Sequence, residues 1–190
     1  MNGMCFRLGS GEADGISSGF PAGMAVIAVT RPLPWTAEQG WGFVTEKNRR
    51  EQELLRLPEL NSGFEPVWWY QEEDITQLEM KEEGCLTADC SGKEYNSAGR
   101  RIPLLFKADV KKEGNYRIKV SLTGCAEMET EVFLFLGRRH LAWKGTLQYG
   151  QRQMVEGIVN VSAIVPRGKT EMYPDTTVDI ALIGKGAALS

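Results

Sequence analysis

Apolar and polar residues alternate with period two along much of this chain, the mark of strands with one buried and one wet face. Between 101 and 110, Ile102, Leu104, Phe106, Ala108 and Val110 fall on one side. After turn residues at Glu113-Gly114-Asn115, Tyr116, Ile118, Val120 and Leu122 alternate with Arg117, Lys119 and Ser121. These two runs predict an antiparallel pair with one buried face. Val132–Leu136 is continuously apolar, as a central strand covered on both sides would be. Ile158–Val165 and Thr177–Ile183 alternate again, and shorter candidates lie at Met4–Leu8, Ala25–Val29, Gly40–Val44, Pro66–Tyr70 and Cys85–Cys90. Ser91-Gly92, Gly124, Gly145, Gly150 and Pro166-Arg167-Gly168 read as turns between them. Roughly eight to ten short strands with glycine-rich punctuation predict an all-β chain, an antiparallel β-sandwich of jelly-roll type.

Two segments depart from this rhythm. Thr45–Leu57 is rich in Glu, Arg, Lys and Gln and is closed by Pro58, which suits a solvated helix or a long ordered loop. Gly184–Ser190 is small and polar enough to serve as a flexible tail, so the expected organisation is one sandwich over 1–184 and a linker over 185–190.

A length of 190 residues fits one domain with a substantial core, and 42% apolar with 25% charged residues is the balance of a folded globule. The net charge of −3 argues against a nucleic-acid binder, which needs a basic excess on some face. No apolar run approaches the roughly 18 residues of a membrane span, and no basic start with a long apolar centre marks an export signal. A cytoplasmic setting is therefore expected. It implies that Cys5, Cys85, Cys90 and Cys125 are reduced thiols. The acceptor pattern Asn160-Val161-Ser162 lies within a strand-like run and is discounted as a glycan site.

The candidate chemistry is sparse. Gly9-Ser10-Gly11 lacks the Gly-Lys-Ser/Thr of a phosphate loop and reads as a turn. His140 is the single imidazole, no Gly-x-Ser-x-Gly elbow exists, and the cysteines form no Cys-x-x-Cys pair. Neither a complete catalytic set nor a metal or cofactor site is expected, and the carboxylates at Glu72-Glu73-Asp74 and Glu82-Glu83 read as solvated charges. Trp68-Trp69-Tyr70 is more informative. On a strand, Trp68 and Tyr70 share one face and Trp69 takes the other, so the triplet either stacks on sugar rings or closes a core or interface. Arg138-Arg139, like Arg100-Arg101, either grips acidic sugars through bidentate hydrogen bonds or blunts a strand edge.

The order of several motifs resembles a known family. Phe6-Arg7-Leu8-Gly9 is similar to the Phe-x-Phe-Gly opening strand of the N-terminal domain in rhamnogalacturonan acetylesterase-like enzymes, and Gly40-Trp41-Gly42-Phe43 resembles the Gly-Tyr-Gly-Phe that follows there. Phe106-Lys107-Ala108-Asp109-Val110 and Gly114-Asn115-Tyr116-Arg117-Ile118 resemble its Phe-x-Val-Asp-Val and Gly-x-Tyr-x-Val pair, with Arg138-Arg139 and Ile158-Val159-Asn160-Val161 as later landmarks. The resemblance implies a galactose-binding-domain-like sandwich that precedes an SGNH-type esterase domain. The esterase's Gly-Asp-Ser and late Asp-x-x-His have no counterpart here: no serine follows a Gly-Asp, and Gly137 stands three before His140. Arg7 also departs from the family's usual acidic residue. The implied role is a non-catalytic accessory sandwich of a pectin-directed carbohydrate esterase, its partner an SGNH-type esterase domain in the same or another chain. The alternative is a self-sufficient carbohydrate-binding module that takes pectic oligosaccharide on Trp68, Trp69 or Tyr70, with Arg138 and Arg139.

Overall fold

The computed structural model describes residues 4–8, 25–29, 31–45, 86–87, 104–125, 127, 130–137, 140–163, 165, 170–172, 176–184 and 187–189. Every regular element among them is a strand: β1 (Met4–Leu8), β2 (Ala25–Val29), β3 (Trp41–Phe43), β4 (Leu86–Thr87), β5 (Leu104–Asp109), β6 (Gly114–Gly124), β7 (Thr130–Leu136), β8 (His140–Leu147), β9 (Arg152–Val161), β10 (Thr177–Ile183) and β11 (Ala187–Leu189). One antiparallel sheet has the order β3-β5-β10-β7-β8 and a second the order β4-β11-β6-β9, while β1 and β2 form a parallel pair.

Period-two patterning decides which side of each strand is buried. Val120 and Leu122 of β6 and Val155, Val159 and Val161 of β9 point into the same core as Leu104 and Phe106 of β5, Val132, Leu134 and Leu136 of β7, and Leu182 of β10. The two larger sheets thus share one apolar interior, as in a sandwich. The facing layers interdigitate. Gly157, opposite Ile118 on β6, leaves room for Leu136 of the other sheet, whose Cδ1 would lie 2.7 Å from any Cβ at that position. β7 is flanked on both sides, by β10 and β8, as its unbroken apolar run demands.

Three expectations are corrected. β5 and β6 do not pair with each other. β5 lies between β3 and β10 and β6 between β11 and β9, so residues 110–113 arch from one sheet to the other. Alternation reports the buried face of each run, and two strands on opposite sides of one core carry the same pattern as two neighbours. The end of the chain is not a loose tail: β11 pairs with β4 and β6, and Ala187 and Leu189 are buried two residues apart. Small residues there fit a crowded sheet interior. Finally, β8 runs through Gly145, which reads as a turn in the sequence. The Trp143 ring lies over it, with Cζ2 2.5 Å from where a Cβ would be, so this glycine makes room for an indole on the same strand.

Residues 46–57, the strand candidate Pro66–Tyr70, and all five candidate sugar-contact residues (Trp68, Trp69, Tyr70, Arg138 and Arg139) lie outside the described residues, as do Arg100 and Arg101. No helix among the described residues is long and apolar enough to cross a membrane.

Candidate functional site

The densest polar chemistry among the described residues sits on the outer side of the β3–β5 edge. Ala108 and Phe106 of β5 point into the core, so Lys107 and Asp109 point outward, yet Lys107 is only 3% exposed. Its cover is the segment 31–40, which lies beside β3 through a parallel bridge between Pro34 and Phe43. Trp35 N donates to the Phe43 carbonyl (2.8 Å) and Phe43 N donates to the Leu33 carbonyl (2.9 Å). This close approach requires Gly42, which adopts φ +143° and would place a Cβ 2.7 Å from Trp35 N and 2.8 Å from Leu33 O.

The strap lays the Trp35 ring on the lysine, with Nζ 4.0 Å from the ring centroid, in cation–π geometry. The Trp35 indole N–H donates to Asp109 Oδ1 (3.2 Å), and Asp109 N donates to the Gly40 carbonyl (2.6 Å). Gln39 Nε2 closes the strap by donating to the Trp41 carbonyl (2.6 Å). Burial pushes the Asp109 carboxyl above the usual carboxylate range, against the opposing pull of the Lys107 charge and the indole hydrogen bond. Asp179 of β10 stands opposite Lys107 in register. The chain's own strap buries Lys107 and ties it to the sheet edge, while Trp35 and Asp109 stay half-buried at the surface. Neither Trp35 nor the outward Lys107 stands out in the sequence. The one available signal is Lys107 and Asp109 flanking a core-facing Ala108 beside a Gly-Trp-Gly.

Beneath the strap, the opening strand joins the core through aromatic edges. Phe6 packs on Trp41 (centroids 5.7 Å apart) and on Phe106 (5.1 Å), and Phe43 packs on Phe106 (5.3 Å). Trp41 is partly buried against the core.

The outer face of β6 and β9 is different. Arg117 and Lys119 both pair with Glu156, at 3.3 and 3.5 Å, and Asn160 Nδ2 donates to Asn115 Oδ1 (2.9 Å). Between these polar groups Met154 and Ile158 stand 61% and 66% exposed. Met154 and Ile158 stand on either side of Glu156, whose carboxylate holds both cations, so this face mixes exposed apolar side chains with a compact ion-pair cluster. No sequence motif marks them, because Met154 and Ile158 occupy the wet positions of an ordinary alternating strand.

His140 opens β8 and is exposed. Cys125 is a thiol whose Sγ donates to the Thr123 carbonyl (3.6 Å). The side chains of Cys5, Cys85 and Cys90 lie outside the described set. Among the described residues no group of three or more His, Cys, Asp or Glu side chains is placed to hold a metal ion. Compared with protein families, with curated proteins and with solved structures, the chain finds no match in any of the three.

Proposed function

We propose that this chain is a non-catalytic accessory β-sandwich, of galactose-binding-domain-like type, that packs on an SGNH-type esterase domain directed at pectic carbohydrate. One observation carries the reading. Three of the stretches that carry the family resemblance, at Phe6, at Gly40-Trp41-Gly42-Phe43 and at Phe106–Val110, are far apart in sequence yet build one unit, while Gly114–Ile118 and Ile158–Val161 pair with each other in the second sheet. Phe6 touches Trp41 and Phe106, Phe43 touches Phe106, and the Gly-Trp-Gly turn receives the strap that reaches Asp109. The exposed pair Met154 and Ile158 supplies a face on which a partner domain can dock.

The test is reconstitution with an SGNH-type esterase domain encoded beside this chain. We expect a one-to-one complex by size-exclusion chromatography with light scattering, and a higher kcat/KM on acetylated rhamnogalacturonan when the chain is present. Two separate peaks with unchanged kinetics would refute the proposal.

A further inference from the structure

One end of the second sheet combines features that neither the core nor the docking face uses. β8 and β9 belong to different sheets, and the turn 148–151 bridges them. It is pinned from both sides: Gln148 N donates to Gln151 Oε1 (3.0 Å), Gln151 N to the Gln148 carbonyl (3.0 Å), Gly150 N to the Gly124 carbonyl (2.8 Å) and Gly124 N to the Gln151 carbonyl (2.9 Å). Gly150 takes φ +74°, and Leu147 is buried just before the turn, so the corner has one geometry. On that corner Tyr149 is 71% exposed, the one exposed aromatic side chain among the described residues.

Next in the chain, Arg152 is exposed and makes no ion pair among the described residues. In register opposite it is Thr123, 2% exposed, whose hydroxyl finds no hydrogen-bond partner among the described residues. An unsatisfied buried hydroxyl is costly and asks for a use.

We infer that Tyr149, Arg152 and the side-chain amide of Gln151 form a contact site for a uronic acid residue of an acidic oligosaccharide. Each part matches one part of that ligand. The phenol face takes the apolar C–H side of a pyranose ring, a fixed aromatic losing little entropy in doing so. The guanidinium takes the carboxylate through paired hydrogen bonds. Gln151 Oε1 is engaged by Gln148 N, which leaves its Nε2 to donate to a ring hydroxyl. This deepens the carbohydrate-directed reading and rests on it: the accessory sandwich would touch the substrate as well as the enzyme.

The experiment is an amide-resonance titration of the isotope-labelled full chain with oligogalacturonate and, separately, with a neutral oligogalactan. We expect saturable shifts at 149–152 and at Gly124 with the acidic sugar, and binding at least about tenfold weaker with the neutral one. Tyr149→Ala should weaken binding by about tenfold at unchanged Tm, the loss that follows removal of a stacking ring. Arg152→Gln should bind both sugars alike. No shifts, shifts confined to other residues, equal response to both sugars in the unmodified chain, or undiminished binding by Tyr149→Ala would each overturn the site. An esterase domain that does not associate would refute the accessory role and leave this titration intact. A flat titration would refute the site and leave the association intact.

Discussion

The two outer faces of this sandwich are built from the same alternating pattern and end in opposite states. On β5, the outward Lys107 is closed over by Trp35, and the strap that carries Trp35 is stitched to β3 by backbone hydrogen bonds. On β9, the outward Met154 and Ile158 stand bare, and their neighbours Arg117, Lys119 and Glu156 meet in surface ion pairs. A lysine is covered on one side while two apolar side chains stand exposed on the other, the reverse of what hydropathy alone would assign to those three residues. Sealing a lysine requires an aromatic face and a carboxylate close by, which is an internal arrangement. Leaving apolar residues in water on a rigid sheet is tolerable singly, but a pair of them on one strand suits an external partner.

If the strapped side is structural, perturbing it must cost stability. The largest effect is expected where the strap unit meets the core: Phe106→Ala removes the ring that touches both Phe6 and Phe43, at a cost of about 3–5 kcal/mol in urea denaturation. Gly42→Ala should cost about 2–3 kcal/mol, because its Cβ meets backbone atoms of the strap and its φ is unfavourable for alanine. Trp35→Phe keeps a ring near Lys107 but deletes the hydrogen bond to Asp109, a loss of about 1 kcal/mol. On the open side, Met154→Ser and Ile158→Thr should each change stability by no more than about 0.5 kcal/mol. A large loss there would show that the face is structural, and the comparison would fail.

The Asp109 carboxyl sharpens the contrast through pH. Its folded pKa lies above the ordinary value of 3.8, so the folded chain holds this proton more tightly than the unfolded chain does. That contribution is fully present below the ordinary carboxylate pKa and is lost as pH rises through the raised folded value. We therefore expect the stability of the unmodified chain, measured relative to Asp109→Asn, to fall across this acidic window and then level off towards neutrality. Denaturation of both proteins between about pH 3 and pH 7 checks this. A difference that rises with pH would reverse the assigned balance of burial over the Lys107 and Trp35 interactions.

Much of the sandwich was legible in the alternation itself. The strands at Leu104–Asp109, Gly114–Gly124 and Thr177–Ile183 follow from it, as does the burial of Leu104, Phe106, Val120 and Leu122, while Thr130–Leu136 follows from the continuous apolar run Val132–Leu136. Which strands become neighbours was not legible, because β5 and β6 would carry the same pattern in one sheet or in two. β8 was hidden by Gly145, whose meaning depends on the Trp143 ring above it. The end of the chain was misread because Ala187 and Leu189 are too few to show a period by themselves. The strap was unreadable for a related reason: Trp35 finds Lys107 and Asp109 across more than seventy residues, and no local spacing encodes that. Aromatic and arginine pairs drew attention as sugar contacts at Trp68-Trp69-Tyr70 and Arg138-Arg139. The exposed Tyr149 in the turn and the exposed Arg152 that opens β9 are single residues, and only their placement sets them apart.

The proposal that the open face docks a partner domain can be tested with one paired measurement. Met154→Asp together with Ile158→Asp puts two charges where the partner's apolar surface would lie, without touching the core. Binding of an SGNH-type esterase domain to the unmodified and doubly substituted chains should be compared by calorimetry, with Tm recorded for both. We expect tight one-to-one binding by the unmodified chain, and its loss in the double variant at a Tm essentially unchanged. Equal binding by the two chains, or no binding by either, would contradict it.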